Sequence, residues 1–317
     1  MAGLKQRSIL FLVAGTPSGA NGNGEIRNDN HQRLPLAFRR AGWAVTVCPS
    51  DSLALDADGL SCAAGPLEQF ERIWHLGFGT AATFFDRMQM LFNLPAERFV
   101  TSPVALLTLH GKFRWLEYMP ETHVSNDPRH LLARTGQGGE WVLKPPAGSF
   151  GREVRHLVGQ RLGSEQDEAK QAHNQALLAA ATDGGRYAVL QRYLPEVTAG
   201  ETRVLTAAGQ LIGQYLRVPV ASGADDRPPL ANRAAGATTQ VVSLNREQAF
   251  IASRVANDLL ALGVGFAAID LVGENLLEVN IANPGGLERL TELKGGGRAD
   301  GDPAQRVVAA LCDIWES

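Results

Sequence analysis

The segment AIDLVGENLLEVNIANPGG, residues 268–286, sets Asp270, Glu278 and Asn280 among Ile, Leu, Val and Ala. Apolar residues at 269, 271, 277, 279 and 281 share one parity and are interrupted by Gly273, Glu274 and Asn275, which reads as two short strands joined by a tight turn. Side chains alternate along a strand, so Ile269, Leu271, Leu277, Val279 and Ile281 point to a core while the two acids and the amide share the opposite face. Carboxylates held that close repel and raise each other's pKa, so the group fits a proton or a hard cation, against the plain alternative of a solvated strand face.

Three more groups could act on an anion. Lys144 ends the apolar run WVLK and is followed by PPAGSFG, in which Gly148 and Gly151 let backbone amides approach a phosphate while the lysine adds a point charge. No GK[ST] follows and the next segment reads as a strand, so this is not a P-loop. Arg203 in ETRVL and Arg217 in YLRVP lie in the two strands of one hairpin, where guanidinium groups suit bidentate bonds to phosphate or carboxylate. Lys112 in LHGKFRWL reads, by itself, as an exposed helical lysine.

The elements that must carry these groups follow from patterning. SILFLVAG, a helix around HQRLPLAFRRAG with Pro35 in its first turn, and WAVTVCP form a β-loop-α-β opening. RIWHLGFG reads as the next strand and TAATFFDRMQMLFNL as an amphipathic helix with Phe84, Phe85, Met88 and Leu91 inward. Beyond Thr101 the pattern becomes antiparallel: strand, glycine turn and strand over EWVLKPPAGSFGREVRHLV, an alanine-rich helix over DEAKQAHNQALLAAAT, and the strand YAVLQRYLP. ETRVLTAAGQLIGQYLRVPV is a hairpin turning at Ala208 and Gly209, and GADDRPPLANRAAGATTQ is loop. Asn245 and Gln248 cap a helix that Gly263 stops, and a last helix runs from about Pro303 to Trp315.

Length and composition bound the function. A chain of 317 residues with 44% hydrophobic content buries a large core in two or three domains. A net charge of −3 offers no basic face, so nucleic acid and membrane surfaces are not expected partners. Cys48, Cys62 and Cys312 are far apart with no CxxC spacing, which suits buried free thiols in a reducing, cytoplasmic setting. The opening MAGLKQRSILFLVAG has the charge and apolar run of a signal peptide, but the run is short and no small-residue cleavage pattern follows, so it reads as a first strand feeding a glycine-rich loop. No apolar stretch approaches the ~20 residues that span a bilayer.

The order of the pieces carries a resemblance. VLKPPAGSFG, LQRYLPEVTAGETRVLTAAGQLIGQYLRVP, NRAAG and AIDLVGENLLEVNIANPGG make the chain similar, over nearly its whole length, to the ATP-grasp carboxylate-amine ligases, most of all bacterial glutathione synthetase. The resemblance implies an ATP-grasp fold with an N-terminal Rossmann-like α/β domain over residues 1–108. An α+β ATP-binding part would follow, with a small subdomain and glycine-rich lid over 109–190 and a C-terminal subdomain with the metal site over 191–317.

It further implies that Lys112 and Lys144 contact ATP phosphates under a lid formed by Gly148, Ser149, Phe150 and Gly151. Gln191, Arg192, Tyr193 and Leu194 would form the connection whose backbone reads adenine, and Glu201 would hold the ribose hydroxyls. Asp270, Glu278 and Asn280 match the family's ligands for Mg2+, with Mn2+ as a substitute. Arg203 and Arg217 match arginines near the transferred phosphate and the oxyanion, while Asn232, Arg233, Asn283, Gly285 and Gly286 fall where substrate carboxylates bind. Small-molecule carboxylate and amine substrates, γ-glutamylcysteine and glycine or relatives of them, and a homo-oligomer are the implied partners.

Two departures from the family bear on the substrate and a third on the motion of the lid. Leu230 and Ala231 precede Asn232 where the family carries an arginine and a glycine, IANPGG stands where serine and threonine surround the proline, and SFGRE replaces a double glycine. An ATP-grasp peptide ligase of different specificity acting in metabolite tailoring, and a nucleotide-binding module without catalysis, are the alternatives.

Overall fold

The protein is described by a computed structural model, which covers residues 6–14, 30–110, 113–147, 153–159, 165–219, 237–293 and 301–316. The chain opens with β1 (Ser8–Val13), α1 (Asn30–Arg40) and β2 (Ala44–Pro49), followed by a small antiparallel sheet of β3 (Ala54–Asp56), β4 (Gly59–Cys62) and β5 (Gly65–Pro66). Next come β6 (Arg72–Leu76), α2 (Phe84–Leu91) and α3 (Pro103–Thr108). β2, β1 and β6 form a parallel sheet in that order. β1 is apolar without alternation because both faces of a central parallel strand are covered: Ile9, Phe11 and Val13 belong to one core cluster, Leu10 and Leu12 to another.

The middle of the chain builds β7 (Thr122–Ser125), α4 (Pro128–Thr135), β8 (Gly139–Lys144), β9 (Arg155–Gly159), α5 (Glu165–Thr182) and β10 (Ala188–Arg192). Its four strands pair antiparallel in the order β7-β10-β8-β9 over a small core around Trp141, Leu157 and Leu178. The last part holds β11 (Glu201–Ala207), β12 (Gln210–Val218), β13 (Thr238–Gln240), α6 (Arg246–Ala261), β14 (Phe266–Val272), β15 (Asn275–Asn280), α7 (Leu287–Leu293) and α8 (Pro303–Glu316). Its sheet runs β13-β12-β11-β14-β15, all antiparallel. Ala208 (φ 48°) and Gly209 (φ 77°) are both left-handed, the two-residue turn that suits the twist of a hairpin. α8 packs back on α1 and the turn after it: Trp315 lies 6.3 Å from Phe38 and 5.6 Å from Trp43, ring centre to ring centre. None of the described helices is long and apolar enough to cross a membrane.

Four expectations are corrected. Pro35 lies inside α1 rather than in its first turn, because the helix already starts at Asn30, whose side chain is tied to a distant loop. Phe85 is 68% exposed, while Arg87, Met88 and Leu91 are the buried residues of α2. Positions 84, 87, 88 and 91 follow the i, i+3, i+4, i+7 stripe, from which 85 departs by one residue. Thr238–Gln240, read as loop, is a strand that pairs with Leu216–Val218. In the acidic hairpin the register shifts after Asp270, so Leu276, not Leu277, opposes Leu271 and is fully buried. A bulge adds a residue to one strand and thereby reverses parity beyond it.

Candidate active site

The register of the five-stranded sheet sets opposite charges side by side. Arg203 on β11 stands opposite Tyr215 on β12 and, on its other side, opposite Asp270 on β14, which in turn stands opposite Glu278 on β15. Tyr215, Arg203, Asp270 and Glu278 thus form one row across four strands. Two residues along the strands, Glu201 opposes Arg217, and Asn280 lies next to the row opposite Ala268. Hairpin parity thus gathers the two arginines and the proposed metal ligands on one face, as their sequence spacing implies.

Asp270 is fully buried, and burial of a carboxylate demands partners. Arg203 supplies a bidentate pair, Nε to Oδ1 at 2.8 Å and Nη2 to Oδ2 at 2.6 Å, and Arg217 approaches Oδ2 at 3.2 Å. Arg217 also pairs with Glu201. Burial by itself lowers the pKa of Arg203, but the charge of Asp270 and the hydrogen bonds to it outweigh that and hold the guanidinium above its ordinary value, permanently charged. Burial likewise pushes the Tyr215 hydroxyl up, with Arg203 opposing.

The Asn280 amide nitrogen donates to Asp270 Oδ2 at 3.0 Å and to Glu278 Oε1 at 3.2 Å, so all three side chains converge within hydrogen-bond reach. No group of three or more His, Cys, Asp or Glu that could hold a metal occurs among the described residues. A cation here would therefore need the Asn280 amide oxygen as a third ligand, which a half-turn about Cβ–Cγ presents. That all-oxygen set fits a hard divalent cation such as Mg2+ and does not suit zinc.

The loop after β15 is held from three sides. Arg203 Nη1 donates to Gly285 O at 3.1 Å, and the Gly77 amide, just past β6, donates to Ala282 O at 2.9 Å. The Asn283 amide is gripped at both ends: its oxygen accepts from Asn30 Nδ2 at 2.9 Å and its nitrogen meets His31 Nε2 at 3.1 Å. Asn30 also donates to Pro284 O at 2.7 Å. Gly286 (φ 138°) passes so near Tyr215 that an added Cβ would come within 2.7 Å of the hydroxyl. Asn283, Gly285 and Gly286 are thereby positioned by the charged face, by α1 and by the segment after β6 at once.

On the four-stranded sheet, the buried Lys144 Nζ donates to Gln191 Oε1 at 2.8 Å, and Gln191 Nε2 donates to Thr122 Oγ1 at 2.9 Å. The neighbouring side chains serve the fold: Arg192 stacks 3.8 Å over Trp141 and bonds Gly138 O and Glu121, and Tyr193 packs 4.9 Å from His156. The amide of Tyr193 already donates to Glu140 O at 2.9 Å, and Leu194 follows where the chain leaves the sheet toward β11. Lys112, Gly148, Ser149, Phe150, Gly151, Asn232 and Arg233 lie outside the described residues.

Asn30, His31, Gly77, Thr122 and Tyr215 were not singled out by sequence reasoning. Tyr215 alone had a local signal, since it shares the parity of Arg217 on the same strand; the others reach the site only through tertiary contact.

A family model for the ATP-grasp domain of prokaryotic glutathione synthetase matches residues 109–295. The glutathione synthetase of Parasynechococcus marenigrum (strain WH8102) is 31% identical over 288 residues, covering 84% of this chain and 89% of that one. Among solved structures, D-cycloserine synthetase DcsG superposes with a TM-score of 0.66 at 18% identity, over 96% of this chain and 99% of its own. The ATP-grasp ligase PsnB, complexed with a phosphomimetic variant of its minimal precursor, Mg and ADP, gives 0.60 at 15% identity over 97% and 98%. At these identities the structural likeness establishes the fold, a parallel N-terminal sheet joined to two antiparallel ones in the ATP-grasp manner. The family match and the full-length relative together establish more: the chain belongs to the prokaryotic glutathione synthetase family of ATP-grasp carboxylate-amine ligases.

Proposed function

We propose that the protein uses ATP and Mg2+ to join a small-molecule carboxylate to an amine through an acyl phosphate. The observation that carries this reading is the row of Arg203, Asp270 and Glu278 completed by Asn280, a set of oxygen ligands and guanidinium groups converging on one face. A bound Mg2+ on Asp270, Glu278 and Asn280 would neutralise charge on the nucleotide phosphates; Mn2+ fits the same donors. Lys144, and Lys112 with it, would bind the phosphates under the segment of Gly148, Ser149, Phe150 and Gly151. Gln191 fixes the Lys144 ammonium, Tyr193 and Leu194 would offer backbone to adenine beside Arg192, and Glu201 would hold the ribose. Arg203 and Arg217 would stabilise charge on the transferring phosphoryl group and on the oxyanion formed when the amine attacks, which is where preorganised cations lower a barrier most. Asn283, Gly285 and Gly286, with Asn232 and Arg233, would bind the substrate carboxylates.

The same reading takes residues 1–108, 109–190 and 191–317 as three functional parts, γ-glutamylcysteine and glycine or relatives as substrates, a cytoplasmic setting, and a homo-oligomeric assembly. Phosphate release from ATP by the purified protein, with carboxylates and amines added singly and in pairs, is the test. Release that requires one carboxylate and one amine supports the ligase; ATP binding without release under any pair would favour a non-catalytic nucleotide-binding module.

A further inference from the structure

The loop from β6 to α2 borders the proposed substrate site. Besides the bond from Gly77 to Ala282 O, a Cβ built on Gly77 would lie 4.0 Å from Asn283 Cβ. The next residue, Phe78, packs its ring 4.0 Å from that of His110, two residues before Lys112. Phe78 therefore stands between the loop that follows the metal ligands and the start of the proposed phosphate-binding segment. Its ring meets Phe84 at 5.4 Å, and Phe84 meets Phe85 at 5.8 Å. Phe78 and Phe84 are half-buried and Phe85 is exposed, so the three make a continuous apolar surface that opens to solvent at one end.

The cation beneath this surface is already engaged. Arg87 is 2% exposed and donates to Phe78 O at 2.6 Å, to Thr80 O at 2.8 Å, to Thr83 Oγ1 and to Asp51 Oδ1 at 2.8 Å. Gly79 (φ 64°) lets the loop close on it, since a Cβ there would come within 2.5 Å of the guanidinium. Arg87 thus shapes the loop and does not face a ligand. His75, behind it, is held neutral by burial and by the charge of Arg87. An anionic group resting on the three rings would lose its hydration without gaining a charge from Arg87 or His75, whereas an apolar group would gain by leaving water.

We infer that Phe78, with Phe84 and Phe85, receives an apolar and preferably aromatic side chain of the carboxylate substrate, and that Phe78 determines this specificity. The inference rests on the ligase reading and adds the chemical class of the acid. It also bears on the family's namesake acid, since the Arg87 guanidinium beneath this surface is already committed to Asp51 and to the loop carbonyls and is not offered to the charged glutamyl end of γ-glutamylcysteine.

Hydroxylamine in place of the natural amine separates the two ideas. The substrate carboxylate oxygen attacks the γ-phosphorus and ADP leaves; the hydroxylamine nitrogen then displaces inorganic phosphate from the acyl carbon, loses a proton and leaves a hydroxamate. With ATP and Mg2+, acids bearing phenyl or isobutyl groups (3-phenylpropionate, phenylalanine, leucine) are compared with glutamate, aspartate and γ-glutamylcysteine. The expected result is a kcat/KM about tenfold or more in favour of the apolar acids. Phe78→Ser should raise the KM for those acids about tenfold while leaving the KM for ATP near that of the parent, and Phe78→Leu, which keeps an apolar side chain against the core and Phe84, should recover most of the loss. Hydroxamate from the anionic acids in preference, or a Phe78→Ser variant that weakens ATP as much as the acid, overturns the aromatic surface alone. No hydroxamate from any acid overturns the ligase reading and this inference with it.

Discussion

Glu278 and His75 show how single residues tie the site to measurable behaviour. Glu278 opposes Asp270 and accepts from Asn280, so Glu278→Gln keeps the shape and removes one charge from the proposed cation ligands. Turnover is expected to drop about tenfold to a hundredfold or more with an unchanged circular dichroism spectrum, given what metal ligands and their supports contribute. Phosphate release within about threefold of the parent would make these carboxylates structural. His75 is buried at the end of β6 and its pKa is lowered from 6.5 to about 4, by burial first and by Arg87 second. The unfolded chain takes up a proton near pH 6.5 that the folded one refuses until about pH 4, so the stability His75 contributes is complete above pH 6.5 and is lost as the pH falls between those values. The loss should reach up to about 3 kcal/mol, from about 1.4 kcal/mol per pH unit. Urea midpoints at pH 7 and pH 4.5 in the parent and in His75→Leu check it; an equal fall in both would remove His75 as the cause. The buried position of His75 was not legible in RIWHLGFG, because a histidine near a strand end reads equally well as solvated.

At the scale of elements, local grammar carried most of the fold. Asn245 caps α6 by accepting from the Gln248 amide at 2.8 Å while Gln248 Oε1 accepts from the Asn245 amide at 3.1 Å, the reciprocal pair that the spacing implies. Asn245→Ala should lower the unfolding free energy by about 1 kcal/mol with catalysis unaffected, as judged by urea titration and phosphate release. A drop in turnover at full folding would mean that α6 reports to the site. The bulge after Asp270 and the short strand β13 escaped the same grammar. Both are recognised only by their partners: Leu276 is core because it meets Leu271, and Thr238–Gln240 is a strand because β12 has an edge to offer. Phe85 escaped for a different reason, since a two-turn helix leaves room for more than one apolar stripe and buried Arg87 selected the stripe that excludes it.

At the scale of the whole molecule, the proposed nucleotide site draws on the four-stranded and the five-stranded sheets, with Lys144 and Gln191 on one and the charged row on the other. A ligand bound only by the folded chain stabilises it by mass action, about 2.7 kcal/mol at a hundredfold excess over Kd. ATP with Mg2+ should therefore raise the melting temperature in scanning calorimetry, and EDTA should remove most of the shift; an equal shift with and without EDTA would refute the metal role. The sequence by itself determined the family, the opening β-loop-α-β unit and the hairpins that follow, and the face on which Arg203, Arg217, Asp270, Glu278 and Asn280 meet, because alternation along a strand is a property of a few consecutive residues. Tertiary structure alone decided what closes on that face. Asn30 and His31 reach Asn283 across more than 250 positions, and Gly77 reaches Ala282 across about 200. Such contacts follow from how the N-terminal sheet, the acidic hairpin and α8 bury their apolar faces together, and no window of sequence records which surface will be opposite another once that core has formed.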